Sequence, residues 1–478
     1  MNRMRRPALS SRTPGLALAT IAVAVLGGCA LTEPRTPLPT VLPAAWNEAQ
    51  AVGTNQRPAA PIAADWWRGF SSPQLESLVA EAMQGSTDLR LAAQRVQQAD
   101  IALRLAGVSQ LPSVNGSVGS SAARSNSSGT PTSTRESTSV SLSVSYELDL
   151  WGRLAAGAQG AQASLAASRY DLETARITLA ASVATTYFQL LATRERVLIA
   201  RDNLATAERV LRIVEARRRF GVATPLDVSQ QTTAVLQLRT ALIPLETQVR
   251  QTASALALLL GRVPQGFDAG AGETLRGLRQ PAVSAWLPSD LLSRRPDLAS
   301  AEAQLAAADA DVAAARAALL PSISLSAGAG TSSAALLSLV DSTRSVSLGL
   351  SLAQSLFDNG RQRLAVESTR LQREALVENY AAAARRALKE VDDALGNADR
   401  NARQEIAQEQ VVAQAQRALG LAELRYREGA DTLLTVLDAQ RTLFSAQDSL
   451  LQLRLQGLSG AVDLYRVLGG GWQAAQAR

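Results

Sequence analysis

Between Val140 and Leu150 the chain alternates. Val140, Leu142, Val144, Tyr146, Leu148 and Leu150 fall on one side of an extended backbone, and Ser141, Ser143, Ser145, Glu147 and Asp149 on the other. A period of two marks a strand with one apolar and one polar face. A closely similar stretch, VSLGLSLAQSLFDNGR, occupies 346–361. Most of the chain has a different rhythm. From 161 to 220 there is neither Gly nor Pro, and apolar residues return at three- and four-residue steps. This predicts one helix of about 65 residues, near 100 Å long at about 1.5 Å per residue. Gly221 suits a left-handed C-cap, and Pro225 suits the first turn of a second helix running to about 260 with a kink at Pro244. Residues 72–109 are also helical in pattern and stop before Pro112. The segments 72–109 and 224–260 are each roughly half the long helix, so end to end they match its length.

The pattern occurs twice. Arg153 and Arg361, Gly221 and Gly429, and Gly261 and Gly469 are each 208 positions apart, and QLPSVNGSVG at 110–119 corresponds to LLPSISLSAG at 319–328. So long a period indicates duplication of a whole unit, in the order helix, strand, strand, long helix, returning helix. The expected fold is mainly α with a small β part, with strands at about 113–122, 138–150, 322–331 and 345–355.

Strands of about ten residues with apolar-out, polar-in alternation have the size of transmembrane β-strands. A bilayer strand must belong to a closed barrel, because an open edge leaves backbone groups unpaired in hydrocarbon. Four strands do not close, since eight is the usual minimum. Several chains must then share one barrel, and two, three or four protomers all satisfy the pattern. The competing reading is a soluble sheet capping a helical bundle.

Composition narrows the chemistry. There is no His and one Cys among 478 residues. This removes His-dependent nucleophile systems, His-ligated metal sites and any intrachain disulfide. The net charge of +6 comes from Arg spread along the helices, with no basic block carrying interleaved aromatics, so nucleic acid is not an expected partner. No cofactor is expected, and the reading is not an enzyme. At the N-terminus Arg3, Arg5, Arg6 and Arg12 precede an apolar run from Gly15 to Leu26 that is too short to span a bilayer. Leu26-Gly27-Gly28-Cys29 resembles a bacterial lipobox, which implies cleavage before Cys29 and lipidation of its thiol. Ala30 is not the Asp that resembles an inner-membrane retention signal, so the outer membrane is favoured. A proline-rich stretch from Glu33 to Pro61 follows.

DWWRGFSSPQLESLVAEAMQGSTDLRLAAQRVQQA (65–99) and LPSDLLSRRPDLASAEAQLAAADADVAAARAALLPSISLSAG (287–328) resemble the TolC-like outer-membrane efflux family. More narrowly, they are similar to its lipoprotein branch, the NodT/OprM-type exit ducts of resistance–nodulation–division pumps. The resemblance implies a homotrimer whose twelve strands form one outer-membrane barrel and whose helices form a periplasmic α-barrel. It divides the chain into a signal peptide (1–28), a lipidated linker (29–71), repeat 1 (72–262), an equatorial connector (263–289), repeat 2 (290–470) and a tail (471–478). The turns RFGVATPLDV and REGADTLLTVLD correspond to the family's periplasmic tips. On that correspondence Arg219, Gly221, Leu226, Arg427, Gly429 and Leu434 are docking positions for a periplasmic adaptor.

Asp438 matches an aperture aspartate of the family, and Asp227 and Thr435 occupy equivalent places in the two repeats. Asp431 stands where some members carry an aperture arginine, so their salt-bridge lock does not transfer; a carboxylate ring would favour cations. Local capping is the other reading of these residues. Gly221 and Gly429 suit C-caps, and Arg217, Arg219, Arg425 and Arg427 lie in last helical turns, where a cation gains about 0.3–1 kcal/mol. The function implied is a passive outer-membrane exit duct, loaded by an inner-membrane resistance–nodulation–division transporter through the adaptor. The alternatives are a duct for type I protein secretion and a periplasmic coiled-coil scaffold lipoprotein without a pore.

Overall fold

The computed structural model describes residues 43, 46–50, 62–126, 129, 131–270, 272–281, 291 and 293–473. Cys29 and the signal segment lie outside them. The elements run α1 (Pro73–Gly85), α2 (Thr87–Val108), β1 (Ser113–Ser125), β2 (Ser133–Glu147), α3 (Arg153–Arg219), α4 (Pro225–Leu259), α5 (Pro296–Ala317), β3 (Ser322–Ser333), β4 (Thr343–Ala353), α6 (Arg361–Arg427) and α7 (Leu433–Val467). The long helices α3 and α6 have 67 residues each, and α4 and α7 have 35 each. The duplication is thus matched in length between these long helices, while the strands of the two repeats differ, 13 and 15 residues against 12 and 11. Pro244 lies inside α4, which continues past it.

The chain forms two compact units. One holds the sheet, with residues 113–156 and 311–369. Its four strands are antiparallel in the order β1-β2-β3-β4. The first hairpin extends further than alternation predicted. Ala122–Ser125 pair with Ser133–Glu136, a stretch with almost no apolar side chain. Backbone pairing across a hairpin needs no apolar face, so this part leaves no period-two signal. At its other end β2 stops at Glu147, three residues short of the expected 150.

The second unit holds the helices. Its largest core cluster joins Trp66, Phe70, Leu75 and Val79 to Val183, Tyr187, Phe188 and Leu190 of α3, and to Leu256 and Val462 of α4 and α7. Segment 29–71, expected as a linker, therefore contributes to the core at its C-terminal end. Phe70 is fully buried, and Trp66 stacks on Tyr465 at 5.1 Å between ring centroids. Trp46 joins a second cluster with Leu298, Val391 and Leu464.

The helical pattern over 72–109 is broken at Ser86, which is extended at φ −62° and ψ 130°. Another stretch of backbone passes close beside the break. A Cβ at Gly85 would sit 2.4 Å from the Leu260 carbonyl oxygen, and one at Gly261 would sit 2.1 Å from that of Gly85. The second repeat uses the same device: a Cβ at Gly469 would sit 2.0 Å from the Arg294 carbonyl oxygen. There Arg295, only 8% exposed, stands at the break. It is bonded to Asp297 (2.7 Å), Glu390 (2.9 Å) and the Val467 carbonyl (3.2 Å), so it closes the C-terminus of α7.

Candidate functional site: the sheet faces and the helix turns

The register sorts the strand side chains into two unlike faces. Val114 pairs with Val144, Val118 with Val140, Leu325 with Leu350 and Ala327 with Leu348, so the apolar residues of all four strands share one face. These side chains are open to the surroundings, Val346 at 87% and Leu348 at 78% exposure. On the opposite face Ser113 meets Ser145, Ser117 meets Ser141, Ser143 meets Gly328 and Ser324 meets Ser351. Hydroxyl groups bond across the strands there, at 2.7 Å for Ser113–Ser145, 2.8 Å for Ser117–Ser141 and 2.6 Å for Ser324–Ser351. Beside them a Cβ at Gly328 would sit 3.0 Å from Ser347 Oγ, so the glycine admits the serine row. The wall is neutral and hydroxyl-lined through its middle.

Charge returns where the strands join the helices. Arg153 donates to both oxygens of Glu147 (2.9 and 2.8 Å), and Asp149 accepts from the Ala155 N–H at 2.8 Å, capping the start of α3. Trp151 Nε1 donates to the Pro321 carbonyl at 2.7 Å, tying the first repeat to the second. Glu147, Trp151, Arg153, Pro321 and Gln354 border an open cavity of about 640 Å³. The strands β1 and β4 form the two edges of the sheet.

The two helix turns lie in the helical unit. Gly221 and Gly429 have φ of +75° and +78°. Behind each, a backbone N–H reaches back to the helix: Val222 to the Arg217 carbonyl and Ala430 to the Arg425 carbonyl, both at 2.9 Å. The expected C-caps are therefore present. Asp227 closes a capping box with Thr224, accepting from its N–H at 2.7 Å and its hydroxyl at 2.8 Å. Asp431 accepts from Thr435 Oγ1 (2.7 Å), the Thr432 N–H (2.8 Å) and Arg425 Nε (3.2 Å). These partners hold its carboxyl below the usual range, the Thr435 hydroxyl most strongly. Asp438 is exposed and paired with Arg441 at 3.0 Å.

Asp431 and Thr435 are thus brought together, whereas Asp227 and Asp438 share no bond with each other or with that pair. Arg219, Leu226, Arg427 and Leu434 are exposed on the turns. Sequence reasoning did not single out Phe220 and Val222, which are exposed beside Gly221. Nor did it find the clamp of Arg217, which donates to the carbonyls of Tyr426 and Arg427 and lies 4.8 Å over the Tyr426 ring. Its counterpart Arg425 looks the same in sequence but bonds within its own turn.

Among the described residues no helix is long and apolar enough to cross a membrane, and no cluster of three or more His, Cys, Asp or Glu could hold a metal ion. Residues 78–262 and 287–470 match the family described as outer membrane efflux protein. The chain belongs to the outer membrane efflux protein family. This efflux protein is 42% identical to the pyoverdine export outer membrane protein OpmQ of Pseudomonas aeruginosa, over 94% of its own length and 95% of the relative's. It is 33% identical to the toluene efflux pump outer membrane protein TtgI of Pseudomonas putida, over 96% and 99% of the two chains.

Its fold is similar to that of the outer-membrane channel OprN, with a TM-score of 0.82 and 27% identity over 92% of this chain and 99% of that one. It is likewise similar to the Neisseria gonorrhoeae MtrE outer membrane channel, with a TM-score of 0.79 and 26% identity over 94% and 99%. The efflux protein accordingly resides in the outer membrane, extends into the periplasm and is a component of efflux.

Proposed function

We propose that three copies of this efflux protein close into one duct and form the passive exit of a tripartite pump. The observation that carries this reading is the sheet. It has an apolar face turned to its surroundings, a hydroxyl face opposite, and two edges with no partner strand among the described residues. Joining β4 of one copy to β1 of the next satisfies the edges, places the apolar face against lipid and makes the serine face the lumen. Three copies then give about twelve strands, above the minimum of about eight. Cys29 carries a lipid anchor.

A periplasmic adaptor docks at the helix turns through Arg219, Gly221, Leu226, Arg427, Gly429 and Leu434, and Phe220 and Val222 add apolar surface there. An inner-membrane resistance–nodulation–division transporter supplies the driving force, and the duct itself catalyses no reaction. Asp438, Asp227, Thr435 and Asp431 line the aperture, with Asp438 the freest carboxylate of the set. Cargo is small molecules. The 42% identical relative is named for pyoverdine export and the 33% identical one for toluene efflux, so a siderophore-like or a solvent-like cargo are both accommodated.

Planar-bilayer recording tests the reading. The protein should conduct, and Asp438→Ala combined with Asp227→Asn, which keeps an acceptor for Thr224, should raise single-channel conductance and weaken cation preference. A protein that forms no channel in lipid refutes the duct. A channel with unchanged conductance in the variant leaves the duct standing and removes the aperture assignment.

A further inference from the structure

The two hairpin loops of the sheet are opposites in composition. The β1–β2 connection, 126–132, reads Asn-Ser-Ser-Gly-Thr-Pro-Thr, whereas 334–340 in the β3–β4 connection reads Ala-Ala-Leu-Leu-Ser-Leu-Val. A loop meant for water has no reason to carry four large aliphatic residues in seven. Its fold is as unusual. Leu337 has φ +52°, a left-handed conformation that glycine or asparagine normally takes, and the turn leaves its side chain 83% exposed with Val340 at 73%.

The loop is fastened to one particular face of the sheet. Thr138 Oγ1 donates to the Ala335 carbonyl (2.8 Å), Ser120 Oγ accepts from the Leu337 N–H (3.1 Å), and Glu136 accepts from the Leu336 N–H (3.2 Å). Ser120 pairs with Thr138, and both lie in the alternation of Val118 and Val140, so the anchors belong to the apolar face. They stand where that face turns polar. Ser333 and Ser338 hydroxyls satisfy further backbone groups of the loop, at Val340 O, Ala335 N and Val340 N. Internally satisfied backbone under exposed leucines is what a segment at the lipid boundary requires.

The belt dimensions agree. On β2 the apolar run from Val140 to Tyr146 covers about 20 Å of strand, or about 15 Å along the membrane normal at a tilt near 40°, against a usual band of about 25 Å. Leu356 and Phe357, both highly exposed, follow β4 at the helix end. At the hairpin end the loop adds large apolar side chains over the next four residues of β2, worth about 10 Å along the normal.

We infer that residues 334–340 form a lipid-contacting flap that extends the hydrophobic belt of the barrel into the boundary region of the outer leaflet. The inference rests on the apolar face being the lipid face, as proposed above. The test is tryptophan quenching of the full-length oligomer in phosphatidylcholine vesicles with brominated acyl chains, read as the difference from the unsubstituted protein. Leu337→Trp should emit blue-shifted light, lose emission to the brominated chains and resist aqueous iodide. Should that variant not assemble, Val340→Trp reads the same surface.

Leu350→Trp on β4 reports the lipid face itself, and Val222→Trp on the helix turn reports water. Quenching of the loop tryptophan by iodide, with Leu350→Trp quenched by bromine, overturns the flap and leaves the barrel intact. Shielding from both quenchers means protein covers the loop, which overturns it equally. If Leu350→Trp also escapes the brominated chains, the reading of the lipid face fails as well.

Discussion

Arg217 and Arg425 hold equivalent positions 208 residues apart, yet their surroundings separate them. Arg217 leaves its own helix and donates to the last carbonyls of α6, groups that a helix end otherwise leaves without partners. Arg217→Ala removes these bonds and the stacking on Tyr426, so the tips should separate more readily at a cost of about 1–3 kcal/mol. Hydrogen exchange of 424–430 should accelerate, and Arg217→Lys should fall between the two. Asp431 gives a pH signature. Its pKa in the folded chain is depressed, so the stability it contributes is present above the unfolded value near about 4 and is lost as pH falls through the folded value. Proteolysis at the 427–432 turn should therefore stay slow from neutrality to about pH 5 and rise below about pH 4. Asp431→Asn should be cut faster at neutral pH, with little further change on acidification.

At the scale of elements, the glycines divide into two kinds. Gly221 needs only its positive φ, because a Cβ there meets nothing within 4 Å. Gly261→Ala and Gly469→Ala would add a carbon about 2 Å from a carbonyl oxygen in addition to the same backbone strain. Thermal unfolding should show a loss of about 1–2 kcal/mol for Gly221→Ala and clearly more for either of the others. Arg295 is the other fixture of these junctions. Burial alone would push the Asp297 carboxyl up, but the hydrogen bonds and charge of Arg295 hold it below its ordinary value. Arg295→Ala takes the guanidinium from Asp297 and Glu390, whose carboxylates are part-exposed, and a loss of about 2–3 kcal/mol is expected. That is large enough to reduce the yield of folded protein in the outer membrane fraction.

The whole molecule is governed by the two faces of the sheet and by its two edges, β1 and β4, which no strand among the described residues pairs. Leu350→Arg places a charge on the apolar face, where the penalty near the middle of a bilayer is about 2–4 kcal/mol. It should lower the fraction of protein that assembles in lipid. Ser351→Arg, one residue away and on the hydroxyl face, should assemble normally and shift the channel toward anions. Equal behaviour of the two variants in assembly and in ion preference would contradict the assignment of lipid and lumen faces. In detergent the protein should migrate as an oligomer that heating separates, because each edge strand exposes a row of backbone donors and acceptors.

The sequence by itself determined the duplication, the long helices, the four strands and the sorting of their faces. These follow from periodicities of 3.6 and 2, and from glycine and proline at fixed offsets, which are properties of short windows of chain. It also located both turns, since caps are local. What only the tertiary structure decided depends on distant partners. The helical pattern over 72–109 breaks at Ser86, where Gly85 and Gly261 meet backbone to backbone, and Arg217 rather than Arg425 crosses to the neighbouring helix. Residues 66–70, at the end of an expected linker, close the core. The 334–340 loop folds onto the apolar face because three sheet side chains, about 200 residues away in the chain, hydrogen-bond its backbone there, Thr138 donating and Ser120 and Glu136 accepting. Windows of sequence record the shape a segment prefers; the atoms that meet it are supplied by the fold.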